Sequence, residues 1–319
     1  MQHDTMPIQP LGQRDFDISR IGLGCMGLAG TWNPAEVGDE NRRKAIASVE
    51  TALEVGINFF DHADIYGGTA CESIFKDCLE ALKPDRESLY IATKCGIRSG
   101  YYDHSREHIR ESVESSLRRL GIEYIDLYQL HRPDPLSHPG ETAEILNELM
   151  QEGKIQDVGV SNYYPNQTNA LSAYLETPLV SNQIQFSLLH LFPLYEGREG
   201  QDGDGVLDHC LENEITPLAY SPVGRGWLSG RREIPSDHAQ TDRIERVLAA
   251  FKEMSSGYDN ATPTQIALAW ILAHPAAIVP LVGSNNPEHI RESAGAVEIE
   301  LSRTDWYKLW VASRGAPVP

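Results

Sequence analysis

The chain has 319 residues and a formal charge of −19 at neutral pH, from 46 acidic and 27 basic side chains. A field of that sign repels the phosphates of nucleic acids and anionic membrane surfaces, so we exclude both as partners. No apolar run approaches the ~20 residues of a membrane span, and no signal peptide is recognised, so we expect a cytoplasmic protein. Five cysteines without zinc-site spacing favour reduced thiols and no bound metal.

Strands and helices alternate along most of the chain. Alternating residues around Phe16 and Ile18 predict a short hairpin within residues 1–20. Eight apolar runs of strand length follow, separated by segments with helical periodicity. The predicted strands cover residues 20–25, 57–61, 89–94, 125–131, 157–162, 179–185, 216–221 and 277–282. The predicted helices cover residues 41–55, 71–82, a segment that begins at Asp103 or Ser105 and ends at Gly121, and then 141–152, 165–175, 206–213, 243–254, 263–274, 287–296 and 303–314.

Two segments interrupt this alternation. Residues 196–205 read EGREGQDGDG and carry no apolar period, which predicts a mobile loop. Residues 223–240 predict a second long loop, after the seventh strand.

The alternation of eight strands with helices predicts a closed parallel (β/α)8 barrel, a TIM barrel, as a single domain over residues 1–319. The first hairpin would cap the bottom of the barrel, and the helix at 303–314 would be an extra C-terminal element. An open doubly wound sheet is the alternative. The stretch GLGCMG at 22–27 lacks the GxGxxG pattern and has no helix directly after it, which argues against a dinucleotide-binding turn of the Rossmann type.

Polar side chains collect where six consecutive predicted strands end. Catalytic residues of such barrels lie at the carboxyl ends of the strands. Helix capping would explain one of these residues, but it does not readily explain six strands in succession. The residues are Asp61, Lys94, His131, Ser161, Asn162, Gln183, Tyr220 and Ser221.

Four residues together predict a proton-transfer device. A tyrosine such as Tyr66, with an ordinary pKa near 10, holds its proton too firmly to cycle easily at neutral pH, and a neighbouring ammonium such as Lys94 lowers that pKa. Asp61 can hold the ammonium in place, and His131 can donate a hydrogen bond to a substrate oxygen that gains negative charge. A hydride has to come from a cofactor, because no side chain supplies one.

Seven stretches of the chain resemble the aldo-keto reductase superfamily, and together they span nearly all of it. The resemblance implies a (β/α)8 barrel and NADPH-dependent reduction of aldehydes or ketones without a metal. The segments HRPDPLSHP and LSRTDWYKLW are most similar to a bacterial branch of oxidoreductases with broad or unassigned substrates. The seven stretches are NFFDHADIYGG (58–68), IATKCG (91–96), LYQLHRPDP (127–135), GKIQDVGVSNYYP (153–165), NQIQFS (182–187), LAYSPVGRG (218–226) and VPLVGSNNPEHIRES (279–293).

The resemblance also implies a role for each matching residue. Tyr66 would be the general acid, Lys94 and Asp61 its tuning pair, and His131 the residue that orients the carbonyl group. Met26 and Asp61 are among the residues implied to bind the cofactor. The others are, for the nicotinamide end, Ser161, Asn162, Gln183 and Tyr220; for the pyrophosphate, Ser221, Val223, Gly226 and Leu228; and for the adenosine end, Gly283, Ser284, Asn286, His289, Glu292 and Ser293.

The adenosine end departs from the family pattern. Many relatives carry a lysine or arginine where this chain has Asn285, Asn286 and His289, and a 2′-phosphate is held best by a cation. Ser284 and Arg291 are the nearest other candidates. NADPH stays the favoured cofactor, with NADH or dual use left open.

Aromatic side chains in the predicted mouth loops would form the substrate wall, and they suit flat or apolar carbonyl compounds. These candidates are Met26, Trp32, Tyr101, Tyr102 and Trp227. Trp32 or Trp227 would alternatively only pack its own loop. Gly96, where relatives have a bulky aromatic residue, predicts a wider pocket beside Lys94.

Two other functions are left open. One is a Schiff-base aldolase built on Lys94, and the other is a cofactor-sensing binding subunit with weak turnover. No oligomeric state follows from the sequence.

Overall fold

Eight parallel strands close into a barrel in the computed structural model, which describes residues 6–14, 16–194 and 205–317. In ring order the barrel is β3-β4-β5-β8-β9-β10-β11-β12, and β12 pairs with β3 through Leu281 and Gly22. The closed ring confirms the predicted barrel and excludes the open sheet. The strands are β1 (Ile8–Pro10), β2 (Asp17–Ser19), β3 (Gly22–Gly24), β4 (Phe59–Asp61), β5 (Tyr90–Cys95), β6 (Ile97–Arg98), β7 (Tyr101–Tyr102), β8 (Ile125–Leu130), β9 (Ile155–Ser161), β10 (Ser181–Gln185), β11 (Thr216–Tyr220) and β12 (Val279–Val282).

Ten α-helices lie in the described ranges, most of them in a layer outside the barrel. Local signals fix their ends: Ser105 accepts a hydrogen bond from the backbone of His108, and Gly121 ends the same helix in a left-handed conformation (φ 67°). Ser105, rather than Asp103, is therefore the cap. The helices are α1 (Asp39–Glu54), α2 (Ala70–Leu82), α3 (Arg106–Leu120), α4 (Pro139–Gln151), α5 (Pro165–Ser172), α6 (Val206–Glu212), α7 (Thr241–Met254), α8 (Pro263–Leu272), α9 (Pro287–Ala294) and α10 (Arg303–Arg314).

The predicted hairpin, β1 and β2, closes the bottom of the barrel. Leu11 and Ile18 are fully buried and pack against a layer of barrel residues that includes Phe59, Leu127 and Leu218. The backbone N–H of Gly12 also donates to the hydroxyl group of Thr216 at 2.8 Å. In the part of the chain that the structure describes, apolar side chains fill this end of the barrel, so a ligand would enter at the other end.

The loop segments differ from the predictions in one place. The sequence predicts a mouth loop that contains Tyr101 and Tyr102, and in the structure this stretch after β5 forms a second hairpin, in which β6 pairs antiparallel with β7. The predicted mobile loop at 196–205 lies outside the described residues except for Gly205. The predicted loop at 223–240 contains a 3-10 segment at Gly224–Ser229.

Two tryptophans join the C-terminal helix α10 to α8. The rings of Trp270 and Trp306 are stacked, with centroids 5.0 Å apart and planes 13° apart. Each indole N–H donates to the backbone carbonyl of the other residue, at 3.2 Å from Trp270 and 2.9 Å from Trp306. Because buried indoles need a hydrogen-bond partner, this reciprocal arrangement fixes how α10 lies on α8.

All five cysteines lie in the described ranges, where they are buried and form no disulfide bond. No helix within the described ranges has the length and apolar character needed to cross a membrane.

Candidate active site

Lys94 lies at the centre of the open end of the barrel and is fully buried. Both carboxylate oxygens of Asp61 lie 2.8 Å from its Nζ atom. Nζ also donates to the backbone carbonyl of His62 at 2.5 Å and to the phenol oxygen of Tyr66 at 3.3 Å. The imidazole ring of His131 stands edge-on to the Tyr66 ring, with centroids 5.8 Å apart. The structure thus brings together the four residues that the sequence selected.

Burial dominates the electrostatics of these four residues. It raises the pKa of Tyr66 to about 12, although the Lys94 ammonium acts in the opposite direction. Burial alone would lower the pKa of Lys94, but Asp61 and Tyr66 more than offset it, so the net pKa is raised and the side chain stays an ammonium. Burial and Lys94 together lower the pKa of His131 to about 2, so the imidazole is neutral. The expectation that Lys94 would bring the Tyr66 pKa below its ordinary value is therefore wrong for the chain by itself, because desolvation of the phenolate outweighs the cation.

Two glutamines hold Asp61 from inside the barrel. The amide nitrogen of Gln183 donates to Asp61 Oδ1 at 2.7 Å, and that of Gln129 donates to the same oxygen at 3.3 Å. Gln129 is fully buried, and sequence reasoning missed it because it stands inside an apolar run rather than at the end of a strand. Its signal was a polar residue at an inward-facing position of β8, in register with Lys94 on β5.

Ser161, Asn162 and Tyr220 form a hydrogen-bonded group beside His131. Asn162 Nδ2 donates to Ser161 Oγ at 2.7 Å, and the hydroxyl group of Tyr220 donates to Asn162 Oδ1 at 2.9 Å. Asn162 and Ser221 both adopt left-handed backbone conformations, with φ values of 60° and 53°. Strained backbone at two strand ends is typical of binding sites.

The segment after β11 contains the predicted pyrophosphate residues. Gly224, Arg225 and Gly226 have left-handed φ values of 58°, 58° and 88°, which folds the backbone into a tight turn. The side chain of Leu228 is fully buried in the core, so only its backbone is available to a ligand.

At the adenosine end, the nearby arginine differs from the one expected from the sequence. Arg291, named as a nearby cation, turns away to form an ion pair with Glu54 of α1 at 2.8 Å. Arg231 instead reaches in from the loop after β11 and forms an ion pair with Glu292. Sequence reasoning missed Arg231, because the two residues are 61 positions apart.

The remaining residues of this end are held by local hydrogen bonds. Ser284 Oγ lies 3.3 Å from Nδ1 of His289, and Asn286 caps α9 by accepting from the backbone of Glu288 at 2.9 Å. Ser293 donates to the backbone carbonyl of His289 at 2.7 Å. Asn285 donates to the backbone carbonyl of Gly27 and so joins this end to the loop after β3.

The aromatic candidates separate into two groups. Trp32, Tyr101 and Tyr102 are 61%, 57% and 42% exposed, and Met26 is exposed as well. Trp227 is instead enclosed in its own loop, between the guanidinium of Arg232 at 4.0 Å and the ring of His238 at 4.7 Å. For each tryptophan the sequence allows either a substrate contact or packing within its own loop. Trp227 packs within its loop, whereas the ring of Trp32 is exposed.

Gly96 does not leave the open space expected beside Lys94. A Cβ atom on Gly96 would lie 2.7 Å from Nε2 of His104, so the imidazole already fills that space. The expectation of a wider pocket there is wrong, since His104 follows the hairpin of β6 and β7, which the sequence did not reveal. Within the described ranges, no group of three or more His, Cys, Asp or Glu side chains is placed to hold a metal ion.

Comparison with known proteins agrees with this architecture. The aldo/keto reductase family model matches residues 20–310. The uncharacterized oxidoreductase YcsN of Bacillus subtilis is 35% identical, over 96% of this chain and 97% of its own. A 6-dehydroglucose reductase of Novosphingobium aromaticivorans is 36% identical, over 98% of this chain and 99% of its own. The holo form of the aldo-keto reductase AKR11C1 from Bacillus halodurans superposes with a TM-score of 0.80 at 27% identity, and the match covers 98% of each chain.

The chain forms a closed parallel barrel and is matched over nearly its whole length by proteins named as oxidoreductases. It is therefore an NAD(P)H-dependent oxidoreductase. The chain belongs to the aldo/keto reductase family.

Proposed function

We propose that this protein reduces aldehydes or ketones to alcohols, with NADPH as the preferred cofactor. The observation that carries the proposal is the geometry around Lys94, whose ammonium contacts Asp61 at 2.8 Å and the phenol of Tyr66 at 3.3 Å, with His131 edge-on to that phenol. The Tyr66 hydroxyl group and the neutral His131 ring each carry a proton at this site.

In the proposed reaction, Tyr66 gives its proton to the substrate oxygen and His131 positions that oxygen. Because His131 is neutral, its ring carries one N–H, which can donate to the substrate without itself acting as a strong acid. Lys94, held charged by Asp61, stabilises the phenolate that Tyr66 becomes. NADPH, when bound, supplies the hydride.

The residues of the open end fit such a cofactor. Nδ1 of His131 and Oε1 of Gln129 are buried without a hydrogen-bond partner in the described part of the chain. In the left-handed turn at Gly224–Gly226, Gly226 is only partly buried, and its backbone carries no side chain that would keep a ligand away. We infer that Ser161, Asn162 and Gln183 hold the carboxamide and that Tyr220 packs on the nicotinamide ring.

Met26, Ser221, Val223, Gly226 and the backbone of Leu228 would then cover the pyrophosphate. The adenosine end would be contacted by Gly283, Ser284, Asn286, His289, Glu292 and Ser293. An NADH-specific methylglyoxal reductase of Escherichia coli is 33% identical to this chain, so NADH stays the alternative cofactor.

The exposed aromatic residues Trp32, Tyr101 and Tyr102 are the proposed substrate contacts. Two relatives are named as 6-dehydroglucose reductases, so a sugar aldehyde is one candidate substrate and a flat aromatic aldehyde is another.

The test is a screen of aldehydes, ketones, methylglyoxal and oxidised sugars with both cofactors, followed by nicotinamide absorbance. We expect steady turnover with at least one carbonyl class and tighter binding of NADPH. Cofactor binding without turnover of any compound would instead support a cofactor-sensing subunit.

The Schiff-base aldolase is disfavoured by the hydrogen bonds of Lys94. A nucleophilic lysine has to be a free amine, whereas this side chain is held as an ammonium by three acceptors. Borohydride trapping of a carbonyl compound on Lys94 would overturn that conclusion.

A further inference from the structure

Asp64 is a buried carboxyl group in the turn that carries Tyr66. It is only 9% exposed, and its Oδ1 atom has no hydrogen-bond partner within the described residues. Its backbone N–H donates to the carbonyl oxygen of Lys94 at 3.0 Å, and the N–H of Tyr66 donates to the carbonyl oxygen of Ala63 at 3.1 Å. One short turn therefore joins Asp64 to both Lys94 and Tyr66.

The charged groups around Asp64 leave its carboxyl without a dedicated cation. Glu72 of α2 is fully buried and faces it, and Arg119 of α3 is bound to Glu72 at 2.6 Å. Burial, reinforced by Glu72, raises the pKa of Asp64 to about 7, while Arg119 and Lys94 oppose that shift. The adjacent His62 is neutral, because burial and Lys94 lower its pKa to about 3.

Solvent reaches Asp64 through a pocket outside the active site. This pocket has a volume of about 380 Å³. It lies between the turn that carries Asp64 and Tyr66, called the catalytic turn below, the hairpin of β6 and β7, and α3. Its other charged or titratable lining residues are Arg98, His108, Glu111 and Arg119. Arg98 lies 3.2 Å from Nδ1 of His108, and burial lowers the pKa of that histidine. Asp64 can therefore exchange its proton without passing through the mouth of the barrel.

We propose that Asp64 is a positioning residue for the carbonyl reduction, and that its neutral form supports proton donation by Tyr66. The inference rests on the proposed function. An ionised Asp64 places a negative charge in the Tyr66 turn, beside Glu72, and opposes the negative charge that grows on the phenol oxygen as its proton leaves. Protonation of Asp64 removes this negative charge, and with it the repulsion that opposes the phenolate.

The test compares kcat/KM for carbonyl reduction at pH 6 and pH 8. We expect kcat/KM at pH 6 divided by kcat/KM at pH 8 to be about threefold larger in the parent protein than in Asp64→Asn. A threefold change is the size expected for one charge that acts through protein. Glu111→Gln is the matched control, because it removes an exposed carboxylate from the same pocket without touching the catalytic turn, and it should keep the parent ratio. Equal ratios in the parent and Asp64→Asn would overturn the proposal.

A second measurement does not depend on activity. The raised pKa means that folded Asp64 keeps a proton that the unfolded chain has already lost, so its contribution to stability falls as pH rises from about 4 to about 7. Asp64→Asn should therefore gain several degrees of Tm relative to the parent between pH 5 and pH 8. An unchanged Tm difference would show that Asp64 is not the buried acid we infer. Failure of the proposed function looks different, as absence of turnover in every variant.

Discussion

The hydroxyl group of Tyr66 is the feature on which the proposed chemistry depends. With a pKa raised to about 12, it carries its proton at any physiological pH, and release of that proton depends on the Lys94 ammonium, which acts to lower the pKa. Tyr66→Phe keeps the ring and its packing against His131 but removes the proton. We expect kcat for carbonyl reduction to fall by at least ~10², the usual size for a lost general acid, while cofactor affinity persists. Stopped-flow turnover and fluorescence titration with NADPH measure the two; a kcat within a factor of three of the parent contradicts the assignment.

Lys94 is expected to be as important as the phenol itself. Lys94→Met should cripple turnover although Tyr66 remains, because nothing then stabilises the phenolate. It also leaves the buried carboxylate of Asp61 unpaired, so we expect a loss of about 3–5 kcal/mol in the free energy of unfolding. Kinetics and urea unfolding measure both.

Lys252→Met, an exposed lysine on α7, is the control and should change neither quantity. Near-parent activity in folded Lys94→Met with an unshifted pH profile would show that the lysine and the phenol are not coupled.

At the scale of single elements, α9 carries the cofactor prediction. Nδ1 of His289 lies 3.3 Å from Oγ of Ser284, and both side chains can form hydrogen bonds with a 2′-phosphate. We therefore predict that NADPH binds about tenfold more tightly than NADH, a difference of about 1.4 kcal/mol. The ratio should shrink in His289→Ala.

Nicotinamide fluorescence measures the two dissociation constants in the parent protein and in His289→Ala. An unchanged ratio in His289→Ala would show that His289 does not contribute to the preference, and tighter NADH binding would reverse the cofactor assignment. Arg231→Ala separates the contribution of the cation that the structure adds at this end.

Residues at strand ends could be found from the sequence, and residues that meet only through loops could not. Asp61 and Lys94 follow apolar runs, so their side chains were placed at the mouth by periodicity alone. The ion pairs of Arg231 with Glu292 and of Arg291 with Glu54 join segments far apart in the chain, so no local sequence pattern predicts them.

The hairpin of β6 and β7 has two-residue strands, too short for an alternation signal. It leads the chain to His104, whose ring fills the space above Gly96.

At the scale of the whole molecule, the charge of −19 sets how the protein responds to salt. Most ion pairs in the described ranges have at least one exposed partner and contribute little individually, whereas repulsion among the excess carboxylates acts over the whole surface. Raising NaCl from 0.05 to 0.5 M shortens the Debye length from about 14 Å to about 4 Å and should raise Tm by several degrees.

Differential scanning calorimetry across a salt series measures this effect. The gain should nearly vanish close to the isoelectric point of about 4.9. A Tm that falls with salt at pH 7 would mean that specific ion pairs outweigh the general repulsion.

The stacked indoles of Trp270 and Trp306 give the molecule a built-in optical probe. Two indoles with centroids 5.0 Å apart and planes 13° apart are close enough for their excited states to couple, which produces a paired band in the circular dichroism spectrum. Because one ring belongs to α8 and the other to α10, the contribution of this pair is lost when the C-terminal helix leaves α8. Heating while following this band and the backbone signal together would reveal whether α10 separates before the barrel opens.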